Sequence, residues 1–63
     1  MNNAAQSAAR RADVATAMLL CNPSFRSFAQ EMKRRWNAER AVREVALRFE
    51  VTQAVAKRAM WYV

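Results

Sequence analysis

The chain has 63 residues, with 11 Lys and Arg against 5 Asp and Glu, a net charge of +6, a single Cys, and neither His nor Gly. One domain is all that fits, and a chain this short buries only roughly 60% of its unfolded surface, leaving little room for an enclosed substrate pocket. Without Gly there is no phosphate-cradling loop, and without His the usual zinc frameworks and His-based acid–base pairs are missing. The prior is a small basic binding module, not an enzyme, with no metal and no cofactor.

Of the 34 apolar positions 14 are Ala, a helix-favouring composition, and nowhere do β-branched residues alternate with polar ones over a sustained stretch. The reading is all-α, a compact three- to four-helix domain over residues 7–63, preceded by a flexible N-terminus at 1–6 that lacks apolar anchors. The first predicted helix runs from about Ser7 to Leu20, with Ala8, Ala12, Ala15 and Leu19 on its inward stripe and Val14 and Met18 beside it. Cys21 closes the apolar run Met18-Leu19-Leu20-Cys21 and reads as a small buried hydrophobe in a reducing compartment. Asn22-Pro23 stops this helix and starts the next, with Asn22 capping and Pro23 in the first turn.

The second predicted helix, about Pro23–Trp36, places Phe25, Phe28, Ala29, Met32 and Trp36 on one core-facing stripe. Asn37 caps the third, Ala38–Phe49, whose stripe is Ala38, Ala41, Val42, Val45, Ala46 and Phe49. On its outer faces Glu39–Arg43, Arg40–Glu44 and Glu44–Arg48 are spaced for ion pairs worth only about 0.2–0.5 kcal/mol each. After a break at Glu50-Val51, Thr52 caps a fourth helix to about Tyr62, with Val55, Ala56, Ala59, Met60 and Val63 inward.

The last two helices, residues 38–63, resemble a helix-turn-helix across Val42–Trp61. Val45 and Ala46 fit the aliphatic and small positions of the first helix, where the two helices cross at close range. Phe49 and Val51 bracket the turn, and Thr52 stands where Ser or Thr caps the recognition helix. Glu50 departs from the pattern, which has Gly at that positive-φ position, so a longer or differently shaped turn is expected. The resemblance implies a transcription regulator that reads double-stranded DNA through Thr52, Gln53, Ala54, Lys57 and Arg58. Arg58 suits guanine, Gln53 adenine and Lys57 a phosphate. One such motif offers little contact area, which implies a two-fold homodimer.

Charge and aromatics keep a second partner open. Residues 1–21 carry +1, residues 22–37 carry +3 and residues 38–63 carry +2, so half the net charge lies outside the reading helix, around Lys33-Arg34-Arg35. That cluster either touches phosphate from the side or complements a helix C-terminus. Trp61 and Tyr62 lie near the outer face of the last helix, the residue types that dominate protein interfaces. Alternatively, Trp61 folds back over the first helix to thicken an Ala-rich core.

The run Ala17-Met18-Leu19-Leu20 before Asn22-Pro23-Ser24-Phe25-Arg26, with the ending Ala56-Lys57-Arg58-Ala59-Met60-Trp61, is similar to small phage proteins that bind host RNA polymerase. Such proteins block initiation and promote antitermination. The expected compartment is the cytoplasm, that of a bacterial host if the protein is phage-encoded. The longest strongly apolar stretch, Ala17–Cys21, is far short of the roughly 20 residues needed to cross a bilayer, and the N-terminus lacks the apolar core of a secretory signal.

Overall fold

The computed structural model describes the backbone of residues 3–63 and side-chain burial from residue 8 onward. Four helices follow in order: α1 (Asn3–Leu20), α2 (Pro23–Arg35), α3 (Ala38–Phe49) and α4 (Gln53–Met60). There is no strand among the described residues. Met1 and Asn2, part of the expected flexible segment, lie outside the described residues, and α1 begins at Asn3, ahead of the expected Ser7. No helix is long and apolar enough to cross a membrane among the described residues.

Local chemistry sets each boundary. The Asn22 side chain accepts from the Ser24 N–H at 2.9 Å, with Pro23 at the first helical position where its missing N–H costs nothing. Asn37 accepts from the Arg40 N–H at 2.9 Å, and Thr52 from the Val55 N–H at 3.2 Å. α2 stops at Arg35 because Trp36 turns extended (φ −130°), and α4 stops at Met60, two residues before the expected end.

α3 packs on both α2 and α4, while α1 lies chiefly along α4 and touches α2 less. The core is Leu19 from α1, Phe25, Ala29 and Met32 from α2, Ala41, Val45 and Ala46 from α3, and Val55, Ala56, Ala59 and Met60 from α4. Phe25 and Val45 are its largest fully enclosed side chains, and Phe25 and Phe28 both meet Phe49 edge-on, at 5.7 and 5.8 Å between ring centres. Ala at 29, 41, 56 and 59 is wholly enclosed, which lets helices approach closely where bulk is scarce. The radius of gyration is 12.2 Å against about 11 Å for a compact chain of this length, because the molecule is drawn out to 44 × 22 × 18 Å.

Several inward assignments need correction. α1 turns Thr16 and Leu19 to the core, with Ala12, Ala15 and Leu20 at its margin; Ala8, Val14, Met18 and Cys21 are exposed. Thr16 tolerates burial because its hydroxyl donates to the Ala12 carbonyl at 2.8 Å. Cys21 is thus a surface thiol, carried outward with Val14, Ala17 and Met18. Trp36 is partly exposed, and the Arg40 guanidinium lies 3.6 Å from its ring centre. Ala38 is also exposed.

The three ion pairs expected along α3 are not among those formed by the described residues. Arg40 goes to Trp36, and Arg48 sits 5.3 Å from Phe49 and 5.9 Å from Phe28. A planar guanidinium gains more from stacking on a ring than from a solvated carboxylate one turn away.

Candidate interaction surface

The turn between α3 and α4 is three residues long, Glu50 to Thr52. Glu50 adopts the left-handed conformation, φ 56° and ψ 47°, the only positive φ among the described non-Gly residues. Its N–H and that of Val51 both reach the Ala46 carbonyl, the latter at 3.0 Å, which closes the end of α3 in a Schellman-type cap. The expected longer or differently shaped turn is therefore corrected. The backbone takes the geometry that Gly normally supplies, and Glu50 bears a cost of about 1–2 kcal/mol for it.

This turn aims Val55, Ala56, Ala59 and Met60 into the core and leaves Gln53, Ala54, Lys57 and Arg58 on the surface. Gln53, Ala54 and Lys57 share a shallow depression of about 400 Å³ with Ala38, Glu39, Val42 and Arg43 of α3. Ala54 and Lys57 also line a second depression with Arg58, Trp61 and Tyr62. The expected readers thus lie on one continuous surface with the two aromatics. Thr52 stands at its edge, its hydroxyl oxygen committed to the cap.

Arg58 of this surface, and Lys33 of the second basic cluster, are already engaged. Arg58 pairs with Asp13 of α1 at 2.5 Å, both side chains more than half exposed. Lys33 donates to the Val63 carbonyl at 2.7 Å, bringing one member of the Lys33-Arg34-Arg35 cluster to the segment after α4. Arg34 turns to Glu31 of its own helix at 2.7 Å, and Arg35 is exposed. Of the Lys33-Arg34-Arg35 cluster, Lys33 alone among these contacts reaches the C-terminal segment.

Trp61 is 83% and Tyr62 64% exposed, so Trp61 does not fold back over α1. Its N–H bonds to carbonyls of the last turn of α4, which holds the ring beyond the core stripe. Sequence reasoning overlooked Glu39, Arg43 and Asp13. Glu39 and Arg43 were legible as one outer face of α3, but not as the rim of a depression on α4. Asp13 lies 45 residues from Arg58 and carries no sequence signal of that contact.

Comparison with family models, with curated proteins and with solved structures finds no match.

Proposed function

We propose that this protein is a small transcription regulator of phage or bacterial origin that docks on bacterial RNA polymerase through the C-terminal end of α4. The carrying observation is the exposure of Trp61 and Tyr62 beside Lys57 and Arg58 on one surface. Large aromatics next to cations are the usual anchors of protein interfaces, where a few residues supply most of the affinity. Local charge supports a protein partner over duplex DNA. Around α4, Lys57 and Arg43 share their depression with Glu39, and Arg58 is paired with Asp13. Phosphate-driven binding draws on many cations at once. The identity of the partner rests on the similarity of the 17–26 and 56–61 segments to phage proteins that bind polymerase, block initiation and promote antitermination.

The test is a pull-down from nuclease-treated bacterial lysate, followed by titration against purified polymerase. Recovery of polymerase subunits is expected, and Trp61→Ala with Tyr62→Ala weakens binding about 30-fold or more, the loss of about 2 kcal/mol typical of an anchor. Loss of recovery on nuclease digestion, or full affinity in the double variant, overturns the reading.

A second reading, duplex DNA bound as a dimer through α4, is favoured by the left-handed Glu50 turn and by the exposed Gln53, Lys57 and Arg58. Under it, Gln53→Ala with Arg58→Ala abolishes sequence-specific DNA retention, and unchanged retention removes it.

A further inference from the structure

α1 is apolar on two sides. Thr16 and Leu19 are buried, with Ala12 and Ala15 at the margin, whereas Val14, Ala17, Met18 and Cys21 form a second stripe at helical spacing that faces solvent. Val14 is 52% and Met18 69% exposed, and the two line both shallow depressions on this face, one with Arg10 and Arg11, the other with Ala17 and Cys21. This stripe shares no residue with the depression that Trp61 and Tyr62 line.

Charge along α1 points to what covers the stripe. Arg10 and Arg11 flank its N-terminal end, while the last turn of the helix contains no basic residue to complement its carbonyl end. An antiparallel copy of the same helix corrects both at once. With its flanking arginines the seam spans about 16 Å from Arg10 to Cys21 and centres near residue 16, so a two-fold pairing sets Val14 opposite Met18 of the second copy and Cys21 opposite Arg11. Arg10 and Arg11 then lie over the carbonyl end of the other α1. The carbonyl end of each helix meets cations from the other copy, and the like-charged arginine pairs sit at opposite ends of the seam. A parallel pairing stacks four arginines together and leaves both carbonyl ends uncovered.

We propose that this face of α1 is a self-association surface, on which two copies pair antiparallel through Val14, Ala17 and Met18, with Arg10 and Arg11 capping the partner helix beside Cys21. Three turns of helix bury less than the roughly 1,000 Å² total of a stable interface, so the dimer is weak and its population rises with concentration. The pairing is independent of the polymerase reading.

Sedimentation equilibrium across the micromolar to millimolar range tests it, with circular dichroism to verify folding. Wild type is expected to pass from monomer to dimer. Val14→Glu and Met18→Glu, both at exposed sites that leave the fold intact, weaken dimerisation about tenfold or more by placing a carboxylate in an apolar contact. Arg10→Glu with Arg11→Glu weakens it to a lesser degree, whereas Leu47→Glu on the exposed side of α3 leaves it unchanged. Oxidation is expected to give no Cys21–Cys21 cross-link, because antiparallel pairing separates the two thiols by about 15 Å along the axis.

A wild type that stays monomeric at millimolar concentration overturns the proposal. So does a dimer indifferent to both glutamates, or one trapped by Cys21 oxidation. Polymerase capture measured on Val14→Glu keeps the two hypotheses separate, since a monomeric variant retains the α4 surface.

Discussion

In the α3–α4 pair, the features that set orientation are local. Asn37 and Thr52 cap their helices from three residues away, the Glu50 backbone closes α3 onto the Ala46 carbonyl, and Val45, Ala46, Val55 and Ala56 share one core across a short turn. α1 is joined to α2 by a connection at least as short, Cys21–Asn22, but lies chiefly along α4, with which it shares no turn. Its composition offers several stripes of small residues, and the one buried is selected by a helix more than thirty residues away. Where a helix packs mainly on the neighbour its turn joins it to, rotation about the helix axis follows from the turn. Where it does not, rotation follows from packing.

The strongest way to break this contrast is to cut the packing that orients α1. Leu19 is its most enclosed apolar side chain of the 8–20 segment, and Leu19→Ala is expected to cost about 2–5 kcal/mol. In a domain whose whole stability is of the order of 5 kcal/mol, that loss lowers the thermal midpoint sharply. Hydrogen exchange adds the sharper reading. Amides of α1 lose protection ahead of those in α3. Equal loss along both helices means that α1 and the α3–α4 pair unfold as one unit, and the contrast disappears.

The same distinction decides what was legible in the sequence. The four helices, the caps at Asn22, Asn37 and Thr52, and the inward faces of α3 and α4 followed from side-chain chemistry within a few residues. Position 50 stood out as a departure from Gly, but the left-handed backbone that Glu50 adopts, in place of a longer or differently shaped turn, did not follow from the sequence. The burial of Thr16 was hidden, since its hydroxyl is satisfied only once α1 is helical and turned toward α4. The exposure of Trp36 was hidden for a related reason: its spacing fits the core, yet Arg40 covers the ring after α2 has ended. On the α4 surface, residue types pointed to Gln53, Lys57, Arg58, Trp61 and Tyr62. The contributions of Asp13, Glu39 and Lys33 required three-dimensional proximity.

A smaller effect tests the local side. Glu50→Gly relieves the left-handed strain and is expected to raise stability by about 1 kcal/mol, less the added flexibility of the unfolded chain. Glu50→Ala removes the carboxylate while keeping the Cβ, so it is expected to give no such gain. Chemical denaturation of the three proteins side by side checks this. A gain shared by Ala and Gly assigns the effect to the charge of Glu50 instead of its backbone.

The smallest effect in stability carries the most information about how α1 and α4 cooperate. The Asp13–Arg58 pair is more than half exposed at both ends, so Asp13→Asn is expected to change stability by well under about 1 kcal/mol. Its consequence for binding is separable. Duplex DNA engaging Arg58 must first displace Asp13 and then tolerate a carboxylate beside the phosphates, so under that reading the variant binds DNA more tightly, most visibly at low salt. A polymerase contact anchored on Trp61 and Tyr62 responds little, because neither ring depends on the ion pair for its exposure. Measuring both affinities on this one variant therefore shows whether α1 restrains the cations of α4, or whether the aromatic end of that helix acts without them.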